Sequence, residues 1–269
     1  MSGIKENGSI KPDVILLSAK DYLDMLEGAN NGRLDIPLLQ KFLSTMPSHE
    51  EPQSRYQMHN IVEAVGEPQR LISIIDSILG SFGELEAITL RSFGHSTGME
   101  RIELASEGQY SLRLHFWMPG KNESFTEDPH NHAYNFSSKI LSGVLVTDLF
   151  AQGDVGEEMD MFQIASQNTQ NKPTPEHLGN ARLQPVSTPG GIVFSDSDTA
   201  YTMSHEVIHR VRQYDPTMPI ITLNIRGGAI EGRSTFFRDR RDRNIDSTPT
   251  PIDVEARLNL LRNILINKT

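Results

Sequence analysis

The chain has 269 residues, of which 37% are hydrophobic and 22% charged, with a formal net charge of -10. That length suits one large barrel with helical additions, and the composition is that of a folding chain rather than a disordered one. The acidic balance argues against a nucleic-acid partner, because phosphate tracking needs clustered Lys and Arg. The one basic cluster, at 233–243, is interrupted by Asp239 and Asp242.

With no cysteine in the chain, disulfides, thiolate metal sites and a cysteine nucleophile are excluded, so any metal must use His, Asp or Glu. The N-terminus MSGIKENGSIKPDV has no basic segment followed by an apolar stretch. No run approaches the roughly 18 apolar residues of a membrane span. These features predict a cytoplasmic protein without membrane association.

Residues 13–46 show apolar spacing of helical period, with Tyr22, Leu23, Met25 and Leu26, then Leu38, Leu39, Phe42 and Leu43 after Pro37. A second helical pattern covers 61–79. From near Glu86 the pattern changes to short alternating runs bounded by glycine, at 87–93, 101–105, 110–117, 139–149, 192–194, 208–213 and 220–225, which predict strands. The Gln, Asn, Pro and Gly-rich stretch 151–189 reads as a long excursion, partly ordered at best. Residues 253–266 close the chain as an amphipathic helix. The expected organisation is a helical region at 1–85 packed on a β-barrel at 86–245, with a C-terminal helix at 246–269.

The segment carrying the most chemistry is Pro129-His130-Asn131-His132. Residues two apart on a strand point to one face, so His130 and His132 can aim both imidazoles at one point. Such a pair suits zinc, iron, copper or nickel and needs a third ligand. In Val207-Ile208-His209-Arg210-Val211, alternation puts His209 on the same face as Val207 and Val211, so it can look inward.

Several of these segments resemble a known family. Tyr110 to Trp117, the His130-Asn131-His132 pair, Ile140-Leu141-Ser142-Gly143-Val144-Leu145 and Leu149-Phe150 are similar to the first half of a cysteine dioxygenase-type thiol dioxygenase. Ala200-Tyr201 through Ile208-His209-Arg210-Val211 resembles its second metal-binding strand. The likeness covers about residues 101–226, a little under half of the chain. It implies a cupin β-barrel, a double-stranded β-helix, with one iron(II) held by His130, His132 and His209. It also implies a small-molecule substrate meeting dioxygen at the metal.

The usual cupin glutamate is missing, since Phe136 and Ser137 stand where it is expected. This fits a three-histidine site, whose neutral ligands leave the ion its full charge and favour an anionic substrate. Arg101 falls where the family places a carboxylate-gripping arginine, with Arg113 and Arg226 as substitutes. The family's Ser, His and Tyr relay falls on Thr222, Asn224 and Arg226, and no cysteine is present for its thioether cross-link. These departures point to a mononuclear iron oxygenase acting on a carboxylate-bearing metabolite other than free cysteine, with Thr222, Asn224 and Arg226 selecting it.

Two other readings compete. A cupin of this kind can bind a small molecule without turnover, or isomerise it. His205-Glu206-Val207-Ile208-His209 also spells the HExxH pattern of a zinc peptidase, in which one helical turn aims two histidines at the ion. The β-branched Val207, Ile208 and Val211 disfavour that helix, and a barrel instead puts His205 and Glu206 at the cavity mouth.

Overall fold

The computed structural model describes residues 19–95, 98–120, 127–165, 175–239 and 249–269. Five helices come first: α1 (Ala19–Ala29), α2 (Ile36–Ser44), α3 (Pro52–Val65), α4 (Pro68–Leu79) and α5 (Phe82–Leu90). Their starts are chemically marked. Asp35 caps α2 by accepting from the Leu38 amide, prolines open α3 and α4, and Ser81 caps α5 by accepting from the Glu84 amide. That last cap accounts for one departure from the sequence reading. Residues 87–93, expected as a strand, are mostly the end of α5, because the Ser81 cap starts a helix that runs through their alternating pattern to Leu90.

The strands that follow are β1 (Phe93–Gly94), β2 (Met99–Glu107), β3 (Tyr110–Trp117), β4 (Phe136–Ser142), β5 (Val144–Gly153) and β6 (Glu157–Ala165). Beyond them lie β7 (Glu176–Pro185), β8 (Ile192–Ser195), β9 (Tyr201–Met203), β10 (Ile208–Gln213), β11 (Ile220–Arg226) and β12 (Arg233–Arg238), before α6 (Val254–Ile266). Asp253 caps α6 by accepting from the Ala256 amide. One sheet runs β1-β2-β3-β11-β4-β9, the other β10-β5-β7-β6-β12 with β8 also on β5, and all pairs are antiparallel.

Residues 139–149, expected as one strand, are divided between the sheets. Gly143 makes the corner at φ 83°, where a Cβ would lie 2.7 Å from the Pro219 carbonyl oxygen, so only glycine fits. The excursion at 151–189 is also more ordered than its composition suggests. It supplies β6 and β7, whose inward residues Met159, Ala181 and Leu183 pack with Phe237 of β12.

Alternation along the first sheet sets its two faces. Ile102, Leu104, Leu112, Leu114, Phe116, Leu141, Ile221, Leu223 and Ile225 join the large core shared with the helices. The intervening residues face the second sheet. There Trp117, Ile140 and Ile220 meet Leu145 and Val211 in a smaller apolar cluster, which closes one end of the space between the sheets. The helical layer is locked on by ion pairs. Buried Arg70 of α4 grips Asp24 and Glu27 of α1, and Lys139 of β4 pairs with Glu63 of α3.

The second sheet is completed by residues 127–131. The His130 amide donates to the His209 carbonyl at 2.8 Å and the His209 amide returns a bond to the His130 carbonyl at 2.9 Å. On the other side the Phe237 amide donates to the Pro129 carbonyl and the Asn131 amide to that of Thr235. Pairing thus runs from β10 through β5, β7, β6 and β12 to this segment and back to β10. These curled antiparallel sheets, with helices at both ends of the chain, form a cupin β-barrel. Among the described residues no helix is long and apolar enough to cross a membrane.

Candidate metal centre

The double bridge between His130 and His209 brings two imidazoles together from segments far apart in sequence. His132 follows on the same face as His130. Ring centroids lie 4.8 Å apart for His130 and His132, 4.6 Å for His130 and His209, and 5.1 Å for His132 and His209. One nitrogen of each lies within 4.8 Å of the others, a group able to hold a metal ion. Asn131, between the two ligand candidates, turns outward to accept from the Thr235 amide at 2.7 Å, which fixes the segment to β12.

Protonation suits ligation. His130 Nδ1 lies 2.9 Å from the Asp128 carbonyl oxygen and His209 Nδ1 lies 3.1 Å from that of Val207. A carbonyl only accepts, so each Nδ1 carries the proton and each Nε2 keeps its lone pair. Burial, reinforced by the His130 ring, pushes His209 down to about 3. Burial, with His130 and His209 adding to it, holds His132 well below the ordinary imidazole range. A set of imidazole nitrogens fits a divalent first-row transition ion better than magnesium or calcium, which prefer oxygen.

Facing this cluster is a polar wall whose order follows from the strand register. Arg101, His115 and Thr222 are directly paired across β2, β3 and β11. The next row holds Glu103, Arg113, Asn224 and Ser138, and the one after it Ser111, Arg226 and Phe136. Arg113 donates to Glu103 Oε2 at 3.0 and 3.2 Å and to Ser111 Oγ at 2.8 Å. Burial alone would raise the Glu103 carboxyl, but Arg113 and then Arg101 outweigh it and hold it below its ordinary value.

The Arg101 guanidinium lies over the Phe93 ring, 4.2 Å from its centroid, and Arg226 lies over Tyr134 at 4.9 Å. Tyr134 in turn stacks on His132, with centroids 5.1 Å apart. Burial pushes Arg101 down to about 10 and also lowers Arg226. Thr222 is 1% exposed and its Oγ1 has no hydrogen-bond partner among the described residues. All four residues singled out on sequence beside the histidines, Arg101, Thr222, Asn224 and Arg226, therefore stand at wall positions of the same face.

The HExxH reading fails on geometry. Residues 201–203 and 208–213 are strands joined by a turn, so no helix aligns His205 with His209. The His205 amide donates to Asn135 Oδ1 at 2.9 Å, and its Nε2 lies 3.7 Å from Glu231. The basic stretch is also tied up where it is described: Arg233 pairs with Glu176 and Arg238 with Asp128.

One residue escaped the sequence reading. Glu127 is half-buried, with its Oε2 4.0 Å from His130 Nε2, and burial raises its carboxyl above the ordinary range. It puts a carboxylate beside His130, at the edge of the cluster. The only signal for it was an acidic residue three positions before the first histidine, which means nothing until residues 127–131 are placed as a strand.

No protein-family model and no curated relative matches the chain. Among solved structures it overlaps a capsular polysaccharide assembling protein from Staphylococcus aureus, at 11% identity and TM-score 0.30, over 52% of this chain and 29% of that one. The chain thus spans under a third of that protein. It also overlaps an RmlC-like cupin from Shewanella frigidimarina, at 12% identity and TM-score 0.28, over 56% of this chain and 91% of that one. A third overlap is with oxalate oxidase, at 12% identity and TM-score 0.30, over 65% and 75% of the respective chains. At such scores none of these carries weight alone, and the strand pairings define the fold.

Proposed function

We propose that this chain is a mononuclear non-heme iron(II) oxygenase of the cysteine dioxygenase-like cupin type, acting on a small carboxylate-bearing metabolite other than free cysteine. The observation that carries the reading is the convergence of His130, His132 and His209 opposite a guanidinium-bearing wall. Bound iron would supply adjacent coordination positions for substrate and dioxygen and a path for electrons between them.

The chain's own residues do the rest. Arg101 holds a substrate carboxylate by paired hydrogen bonds, which set orientation as well as charge. The hydroxyl of Thr222 and the amide of Asn224 contact the substrate at the positions where a thiol dioxygenase carries its relay. Trp117, Ile140, Leu145, Val211 and Ile220 close the far end to water.

The test is anaerobic reconstitution with iron(II), followed by a carboxylate library screened for ligand-induced spectral change and then for oxygen uptake. Oxygen uptake coupled to loss of one compound supports the reading. Ligand affinity without uptake across the library assigns the chain to binding or isomerising cupins instead.

A further inference from the structure

Of the three arginines on the interior wall, only Arg113 is paired with a carboxylate among the described residues, that of Glu103. Arg101 and Arg226 each keep a buried Nε that has no hydrogen-bond partner among the described residues. Each guanidinium is instead backed by an aromatic ring, Phe93 or Tyr134. A ring face offsets part of the cost of removing a cation from water, but it cannot accept the in-plane N–H groups. Leaving an ionised group buried and unpaired is among the costliest arrangements a protein tolerates. Two such groups on one wall are two places built for an anion.

The register separates them. Arg101 is on β2 and Arg226 on β11, the two neighbours of β3, so their backbones are about 10 Å apart across the sheet. Along the sheet they are offset by two rows, roughly 13 Å at strand rise, with the row that holds Arg113 between them. Two carboxylates on a short carbon chain give each guanidinium its own pair of planar acceptor oxygens, whereas one compact anion such as phosphate would have to be shared between them. The charge count agrees, since Arg113 and Glu103 cancel and two positive charges remain. Arg226 also stands one ring from the metal cluster, through Tyr134 stacked on His132, so an acid bound there lies beside the histidines.

We propose that the substrate is a dicarboxylate, with one carboxylate held by Arg101 and the other by Arg226. This rests on reading the three-histidine cluster as the centre of the same site.

The test is anaerobic calorimetry on iron(II)-loaded protein with succinate, glutarate and adipate, each compared with its half-amide, which keeps the shape and removes one charge. At least one diacid should bind about ten- to a hundredfold more tightly than its half-amide, the usual worth of a charge-assisted contact. Arg226→Gln and Arg101→Gln should each erase that advantage while leaving iron content unchanged. Arg226→Lys should restore only part of it, because an ammonium keeps the charge but not the fork.

Equal affinity of diacid and half-amide overturns the proposal. So does absence of binding at all three lengths, inorganic phosphate binding as tightly as the best diacid, or an undiminished diacid advantage in Arg226→Gln. Zinc-loaded protein should show the same preference. A diacid preference in both metal forms without oxygen uptake would refute the oxygenase reading and leave the dicarboxylate site standing.

Discussion

Replacing the clustered histidines one at a time tests whether they share one ion. Each presents a lone pair within 4.8 Å of the other two, and no fourth imidazole joins the group among the described residues. An ion that binds only the folded site, supplied at about 100 times its Kd, adds about 2.7 kcal/mol of stability. At roughly 2–4 °C per kcal/mol for a chain of this size, iron(II) should raise Tm by about 5–10 °C. Disturbing a group that merely orients a ligand typically costs about 10–100-fold in metal affinity, so loss of a ligand should cost at least the upper figure and abolish the shift. His130→Ala, His132→Ala and His209→Ala should therefore melt at the same temperature with and without iron. His205→Ala, whose ring sits with Asn135 and Glu231, should keep the full shift. Anaerobic thermal scans with parallel iron analysis read both quantities. An iron-dependent shift surviving in any of the three variants, or lost in His205→Ala, would refute the assignment.

Three further outcomes follow from particular contacts. Asn131→Ala removes the acceptor of the Thr235 amide and should weaken iron binding by about tenfold in chelator competition with the fold intact; unchanged affinity would show that the brace is idle. If Thr222, Asn224 and Arg226 replace a thiol dioxygenase relay, as the proposed function holds, iron-loaded protein given free cysteine should show little or no cysteine-dependent oxygen uptake, and formation of the sulfinic acid would sink the claim. Gly143→Ala forces a Cβ against the Pro219 carbonyl at φ 83° and should cost about 1–3 kcal/mol in denaturant unfolding, whereas a neutral result would mean that the corner relaxes freely.

What the sequence disclosed is what alternation encodes. Val207, His209 and Val211 share a face in the pattern and in β10, and His209 does look inward, 3% exposed. Thr222, Asn224 and Arg226 came instead from the family resemblance, and they share one face of β11 because they are alternate residues on a strand. Strands β6 and β7 were not readable, because few of their residues are buried and only Met159, Ala181 and Leu183 turn into a core. In β6 the alternation changes phase at the bulge between Met161 and Phe162, and in β7 few residues are apolar, so Gln and Asn suggest a loop. The strand expected at 87–93 was lost to a helix cap several residues upstream, and the single strand at 139–149 to one glycine. Glu127 was hidden because its position depends on pairing with β10 and β12, contacts with residues about 80 or more further along the chain.

The same alternation makes β11 serve two purposes at once. Ile221, Leu223 and Ile225 hold the helical layer, while Thr222, Asn224 and Arg226 between them face the histidines. A slip of one residue would exchange the two sets, so the apolar core under the helices is what fixes the register of the polar wall. That division also resolves a conflict in the charges. A chain with 35 acidic and 25 basic residues repels an anion at long range, but exposed charges are screened beyond about 8 Å at physiological salt. Inside the barrel the balance reverses, with Arg101 and Arg226 uncompensated in a medium that screens poorly. On the proposed reading, selection for a negatively charged substrate therefore acts at the wall, by geometry and hydrogen bonding, and not by attraction at the surface.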